Sequence, residues 1–336
     1  MKRLLIGASA AALFFFPSIA AANDGFAGID AGGITFAKTD AVTMAKEELF
    51  ISLDEVRVSY VFKNITANDV TGEVAFPLPP FMISIMLESD TDDRLSSGDE
   101  FNVLGFTALV DGKPVSLSAD AQYRLPSYDT EGRITSERDV TQRLKSLGVP
   151  TTYNAETVIA WFATLPAETQ KALIAEGLFY EASEPGRYAP AYSVSAIFHW
   201  TQTFPANSEV RIAHSYRPMP SGSVPGVWPD LEAQYCIDEG TKRGIEKTLA
   251  PLGTEAGEGM MVVQYYLSYI LSTANSWAGP IGDFTLTLDK GDPTSIISLC
   301  MDGIEKTGPT TFRVHKTNFK PERDLQIYLL KAEKTE

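Results

Sequence analysis

Histidines are the side chains whose spacing most directly suggests a metal site in this chain. Only three occur, and His199 and His214 lie in the two strands of a predicted hairpin whose turn is formed by residues 205–207. A connecting loop of even length would place the two imidazoles opposite each other, within reach of one ion. The apolar residues of both segments instead favour a loop of odd length, which sends the histidines to opposite sides of a sheet. We therefore predict no shared metal site and interpret His214 as a core histidine.

A second candidate ion site is the acidic stretch 88–100, because Ca²⁺ prefers carboxylate oxygens. Asp90, Asp92 and Asp93 would be its ligands. Arg94 and Leu95, however, stand where an EF-hand loop needs a ligand and a glycine. We interpret the stretch as a solvated acidic loop, with Ca²⁺ binding as the alternative, and the sequence implies no other cofactor.

No catalytic residue can be assigned from sequence motifs. The chain lacks the G-x-S-x-G, H-E-x-x-H, P-loop and G-x-G-x-x-G patterns that mark many hydrolases, metalloproteases and nucleotide sites. Two carboxylates can act as general acid and base on a polysaccharide, but no pair stands out among 43 Asp and Glu residues. A hydrolase of envelope or extracellular carbohydrate is therefore the alternative hypothesis, and a non-catalytic binding protein is the favoured one.

The two cysteines, Cys236 and Cys300, are an even pair and contain no C-x-x-C motif. In an exported protein such a pair predicts a disulfide bond, because the compartment is oxidising. Two separate buried thiols are the alternative. A structural zinc site is not expected from two cysteines and so few histidines.

The first 22 residues have the pattern of a signal peptide. Lys2 and Arg3 precede an apolar segment at 4–16, and Ala20 to Ala22 form a small-residue cleavage site. We expect a mature chain that begins at Asn23 and is periplasmic or secreted in a bacterium; a retained anchor is the alternative. The apolar segment is shorter than the roughly 20 residues that span a bilayer, and no membrane-spanning segment is expected after cleavage.

The charge balance bears on the partners of the protein. The net charge of −15 at pH 7 repels phosphate backbones, so a nucleic acid is not expected as a partner. The expected partner is an envelope protein or a glycan.

Three aromatic side chains are candidates for contact with a ligand. Trp277 lies in the Gly- and Pro-containing turn 276–282, where it either folds back as a plug, which we favour, or is exposed as a binding anchor. Trp161 and Phe162 lie in a helical segment. They either dock that segment on the sheets or line a pocket beneath it.

The elements that carry these residues are predicted to be mainly β. Apolar residues alternate from Val56 to Phe62, and a second strand at 70–76 ends at Pro77, which predicts a hairpin. Asp111 and Gly112 predict a tight turn between two further strands. Strands return at 192–204 and 210–216, and several more follow residue 260.

A helical insertion interrupts the strands at about 125–186. Ser136 with Asp139 resembles a capping box, Asn154 and Pro166 can each begin a helix, and Gly177 can end one. A short helix is also expected from about Asp238 to Leu249.

The whole pattern predicts two β-sandwich domains. The first spans 23–218 and contains the helical insertion, and the second spans 219–336 with a short helix. Their boundary falls in the Pro-, Gly- and Ser-rich stretch 218–225.

Two resemblances to known families rest on particular segments. Val56 to Asn64, followed by the Phe-Pro-Leu-Pro sequence at 76–79, resembles the opening hairpin of the vault/inter-α-trypsin-inhibitor domain. A resemblance over nearly all of the mature chain is to the exported bacterial family called domain of unknown function 4424. The segments that carry it are 22–24, 32–34, 48–52, 76–79 and 276–281. This second resemblance implies an exported bacterial β protein and supplies no activity and no catalytic residue.

Overall fold

The structure is a computed structural model that describes residues 24–30, 33–84, 101–130, 134–223, 225, 229–252, 254 and 258–334. The predicted signal peptide and the candidate Ca²⁺ ligands Asp90, Asp92 and Asp93 lie outside the described residues. The described chain is mainly β, as the sequence predicts.

The strands in chain order are β1 (Gly25–Asp30), β2 (Gly33–Phe36), β3 (Val42–Ile51), β4 (Val56–Asn64), β5 (Val70–Pro77), β6 (Phe81–Met82), β7 (Thr107–Val110), β8 (Lys113–Pro114), β9 (Ser118–Tyr128), β10 (Ile134–Asp139), β11 (Phe179–Glu181), β12 (Tyr188–Pro190), β13 (Ser193–Phe204), β14 (Glu209–Tyr216), β15 (Ser221–Ser223), β16 (Met260–Tyr269), β17 (Ile281–Asp289), β18 (Ile296–Leu299), β19 (Glu305–Lys306), β20 (Thr311–Phe319) and β21 (Leu325–Lys334). The helices are α1 (Thr141–Ser146), α2 (Ala155–Thr164), α3 (Ala167–Ala175), α4 (Pro229–Tyr235) and α5 (Glu239–Leu249).

The strands form two large sheets, one small sheet and a two-stranded ribbon. The seven-stranded sheet has the order β10-β9-β13-β5-β1-β2, with β6 also paired to β13. The eight-stranded sheet has the order β19-β20-β17-β3-β4-β14-β7-β8, and the four-stranded sheet has the order β15-β16-β21-β18. Strands β11 and β12 form the ribbon.

The main core lies between the seven-stranded and eight-stranded sheets. Phe62 of β4 contacts Phe204 of β13, with ring centroids 5.9 Å apart, and Trp200 of β13 lies 5.5 Å from the imidazole of His214 in β14. This is the face-to-face arrangement in which alternating strands bury one row of side chains and expose the other.

Two predicted hairpins are wrong. Strands β4 and β5 lie in different large sheets, and so do β13 and β14, so each connection is a corner between sheets. In both pairs the apolar rows face each other across the core. Apolar residues alternate along a strand in the same way whether its neighbour in the chain lies beside it in one sheet or opposite it across the core. The alternation therefore does not identify the partner strand. The predicted tight turn at Asp111 and Gly112 is confirmed, because both residues have the positive φ that this turn requires, 48° and 77°.

The helical segment begins later than predicted. Ser136 lies in β10, which pairs with β9, so the predicted capping box is wrong: strand pairing outweighs the local cap. The start of α2 is confirmed, since Oδ1 of Asn154 accepts a hydrogen bond from the Thr157 N–H. Helix α3 follows Pro166 and ends before Gly177, whose φ is +75°.

The C-terminal part contributes to two sheets. Strand β17 pairs in parallel with β3, with Leu286 opposite Leu49, so strands from both sides of the predicted boundary lie in the eight-stranded sheet. The four-stranded sheet is formed only by strands after residue 220, and α4 and α5 pack on it. Helix α5 begins where predicted, with Asp238 as its cap. The division into two domains stays a prediction.

Candidate functional site

Trp277 lies in the core, in the plug arrangement. Its side chain is 3% exposed, and its ring packs against Phe62 with centroids 4.4 Å apart. Its indole N–H donates a hydrogen bond of 2.6 Å to the backbone carbonyl of Asp24. The turn that follows contains Gly279 at φ +77°, which lets the chain reverse after the buried ring.

Trp161 and Phe162 lie on α2. Phe162 is buried and stacks on Phe179 of β11 at 4.2 Å, whereas Trp161 is half-buried, 6.3 Å from the same ring. These contacts dock the helix on the adjoining ribbon. Contact of either residue with a ligand stays a prediction.

Cys236 and Cys300 form a disulfide bond in the structure, with their Cα atoms 5.0 Å apart. It connects the residue that follows α4 to the residue that follows β18. The bond therefore fastens the helical layer to the four-stranded sheet.

A polar cluster that sequence reasoning missed lies inside the main core. Nε2 of His214 is 2.9 Å from Oδ1 of Asp24, and the hydroxyl groups of Tyr60 and Tyr269 are 3.2 Å apart. All four side chains are buried. Burial raises the pKa of Asp24, and its interactions with His214 oppose this rise. Burial also raises the pKa of both tyrosines well above the usual value, with a further contribution from buried Glu47.

This cluster bears on the hydrolase alternative. Asp24 and Glu47 are the carboxylates buried most completely among the described residues, with no exposed fraction. A polysaccharide cannot reach them without separating the two sheets. Their arrangement therefore serves core structure rather than carbohydrate chemistry.

The histidines have separate carboxylate partners. His199 pairs with Glu73 at 3.0 Å in the seven-stranded sheet, while His214 pairs with Asp24 inside the core. His315 pairs with Asp283 on the outer face of the eight-stranded sheet. Among the described residues no group of three or more potential ligands could hold a metal ion.

An uncharged concave feature is a cleft where the three sheets meet, which we call the Tyr216 cleft. Its volume is about 80 Å³, several times the roughly 10–15 Å³ that one water needs. The lining residues are Pro79, Pro80, Phe81, Leu104, Tyr153, Tyr216, Pro218, Met219, Ser221, Tyr266, Leu267 and Ser268. None of them carries a charge.

Polar groups at the cleft are few. The Tyr216 hydroxyl is buried and has no hydrogen-bond partner among the described residues, and burial raises its pKa. The Tyr153 hydroxyl accepts a hydrogen bond from the Ala196 N–H at 3.0 Å. Apolar walls with a few polar groups are typical of small-molecule sites. No sequence motif predicts this cleft, because its walls come from segments far apart in the chain.

Comparisons with known proteins identify a family but no activity. A family model described as "Domain of unknown function (DUF4424)" matches residues 22–328. A solved structure from Legionella pneumophila, with the provisional description of a nutrient binding protein, is 16% identical at a TM-score of 0.40, covering 87% of this chain and 68% of that one. No curated protein matches the sequence. Within the described part of the chain, no helix has the length and apolarity needed to span a membrane.

Proposed function

The chain belongs to the DUF4424 family, and we propose that it is an exported, non-catalytic protein that binds a small uncharged ligand in the Tyr216 cleft. The observation that carries this proposal is the uncharged and mainly apolar lining of the cleft.

The side chains that line the cleft indicate which class of ligand it can bind. Proline, tyrosine, phenylalanine and methionine side chains favour an apolar or aromatic group, because burying such a group removes apolar surface from water. A charged ligand would lose its hydration and find no opposite charge among the lining residues. The partner can be a free small molecule or the apolar moiety of an envelope component. Nothing in the described residues favours the hydrolase alternative.

Export is part of the proposal. The basic start, the apolar segment and the small-residue site before Asn23 support it, and the Cys236–Cys300 bond is the kind that persists in an oxidising compartment. Fractionation of cells that express the full chain should find it outside the cytoplasm. N-terminal sequencing should then begin at Asn23.

The cleft is tested with phenol as an uncharged aromatic probe. Saturation-transfer NMR should detect phenol bound to the wild type, and Ser221→Trp should abolish the signal by filling the cleft. Ser136→Trp is the matched control, because Ser136 is an exposed serine on another edge strand, β10. A phenol signal that survives Ser221→Trp, or that is absent from the wild type, would count against this site.

A further inference from the structure

A polar groove on the outer face of the eight-stranded sheet is separate from the Tyr216 cleft. Its floor consists of β20, β17, β3 and β4, and its volume is about 470 Å³. The lining side chains form two rows across the strands. One row is Arg313, Thr287, Phe50 and Arg57, and the other is His315, Thr285, Glu48 and Ser59.

The two arginines of the first row differ in their partners. Arg57 is held in place, with Nε 3.1 Å from a carboxylate oxygen of Glu55 and its guanidinium 4.5 Å above the ring of Phe50. Arg313 is exposed, and its guanidinium has no ion pair or hydrogen bond among the described residues. The strands that carry them are three spacings apart, which places their backbones about 14 Å from each other. The groove therefore has one fixed and one available guanidinium at opposite sides.

The floor between the arginines offers further hydrogen-bonding groups. The hydroxyl groups of Ser59, Thr285 and Thr287 have no side-chain partner among the described residues. The Glu48 carboxylate, which pairs with Lys46 at 3.0 Å, retains acceptor capacity. These groups stand on paired strands rather than on loops, so their spacing is fixed by the sheet.

We propose that this groove binds a saccharide that carries carboxylate groups. Guanidinium groups bind carboxylates through paired, charge-assisted hydrogen bonds. The hydroxyl groups of a sugar match the serine and threonine hydroxyls and the Glu48 carboxylate between the arginines. A groove of about 470 Å³ is also too large for an isolated carboxylate and suits a ligand with several polar groups.

Charge supports this occupant over a nucleic acid. Arg57 pairs with Glu55 and Glu48 pairs with Lys46, which leaves Arg313 as the lining cation without a carboxylate partner among the described residues. A phosphate backbone needs a longer run of cations, and the overall negative charge would repel it. A short acidic saccharide concentrates its charge at the groove and extends little beyond it.

The test uses trigalacturonate as the probe and its fully methyl-esterified form as the neutral counterpart. Isothermal titration calorimetry should detect binding of the acid at low ionic strength and weaker binding at high ionic strength. Arg313→Gln should weaken binding about tenfold or more by removing the available guanidinium. Arg211→Gln is the matched control, because Arg211 is an exposed arginine of the same sheet that does not line the groove.

Several outcomes would overturn the proposal. Equal binding of the acid and its methyl ester would remove the role of charge. An equal loss of trigalacturonate affinity in Arg313→Gln and Arg211→Gln would show non-specific attraction of the negative charge. Tri-glutamate that binds as tightly as the saccharide would show that the groove recognises carboxylates alone. Absence of binding to the wild type would reject the site. Ser221→Trp should leave trigalacturonate binding unchanged, so this test is independent of the Tyr216 cleft.

Discussion

The imidazole of His214 and the carboxylate of Asp24 form a hydrogen-bonded pair of 2.9 Å in which neither side chain has any exposed surface. The two residues are 190 positions apart in the sequence. The rings of Phe76, Phe106 and Trp200 surround the imidazole with centroids 5.0, 5.1 and 5.5 Å away. The pair thus fastens the segment before β1 to β14 of the eight-stranded sheet.

Replacing the imidazole by a benzene ring should isolate the contribution of this pair. His214→Phe keeps an aromatic ring among its neighbours and leaves the buried Asp24 carboxyl without its partner. Breaking a buried pair in this way typically lowers the free energy of unfolding by about 3–5 kcal/mol. Urea denaturation measures the change. The double variant with Asp24→Ala should lose less than the sum of the two single changes, and strict additivity would contradict the coupling.

The pH dependence of stability should carry a contribution from Asp24. Its pKa is raised by burial above the ordinary value of 3.8, although His214 opposes the rise. The folded protein therefore binds the carboxyl proton of Asp24 more tightly than the unfolded chain does. The stability that this proton contributes is lost as pH rises through the pKa of Asp24 in the folded state. We expect the stability of the wild type relative to Asp24→Asn to fall as pH rises above about 4. Urea titrations of both proteins at several pH values test this, and a constant difference would contradict it.

Truncating Trp277 should destabilise the fold. Trp277→Ala removes a ring packed against Phe62, Phe204 and Phe26 and should cost about 3–5 kcal/mol by opening a cavity. The half-buried Trp161 is the control, and Trp161→Ala should cost less. Thermal unfolding followed by circular dichroism compares them. An unchanged melting temperature in Trp277→Ala would indicate that the ring contributes to a surface instead.

The disulfide bond should stabilise the folded chain. Cys236 and Cys300 are 64 residues apart. Removing a bond that closes a loop of this size should lower the free energy of unfolding by about 4 kcal/mol, because the unfolded chain gains conformational entropy. The double variant Cys236→Ser, Cys300→Ser should unfold at a correspondingly lower urea concentration and should not respond to a reducing agent. Thiol labelling of denatured, unreduced wild type should find no free thiol. Labelling of two thiols would show that the bond does not form.

Local signals in the sequence predict local structure well. Strand β4 has the alternation seen from Val56 to Phe62, Asn154 and Asp238 cap the helices they precede, and Asp111 with Gly112 forms the tight turn. Each of these depends on residues that are neighbours in the chain. Their physical causes are therefore visible in a short window of sequence.

A short window of sequence does not show which distant segments pair with each other. Phe204 and Val210 have the pattern of one hairpin, yet they lie in different sheets, because apolar rows can meet across a core as well as within one sheet. The Asp24–His214 pair and the Tyr216 cleft depend on the same long-range choices. No motif marks them, since a single aspartate or tyrosine has no signature until its surroundings are known.

The parallel pairing of β3 with β17 has a consequence for the order in which the protein can fold. Lys46 lies opposite Asp283, so the middle of the eight-stranded sheet stays incomplete until most of the polypeptide is available. Contacts between segments so distant slow folding, because the intervening loop must close first. We expect a nascent chain that ends before residue 281 to remain sensitive to protease. If the chain is exported as proposed, this late pairing would keep it unfolded while it crosses the membrane and would let the sheet form afterwards.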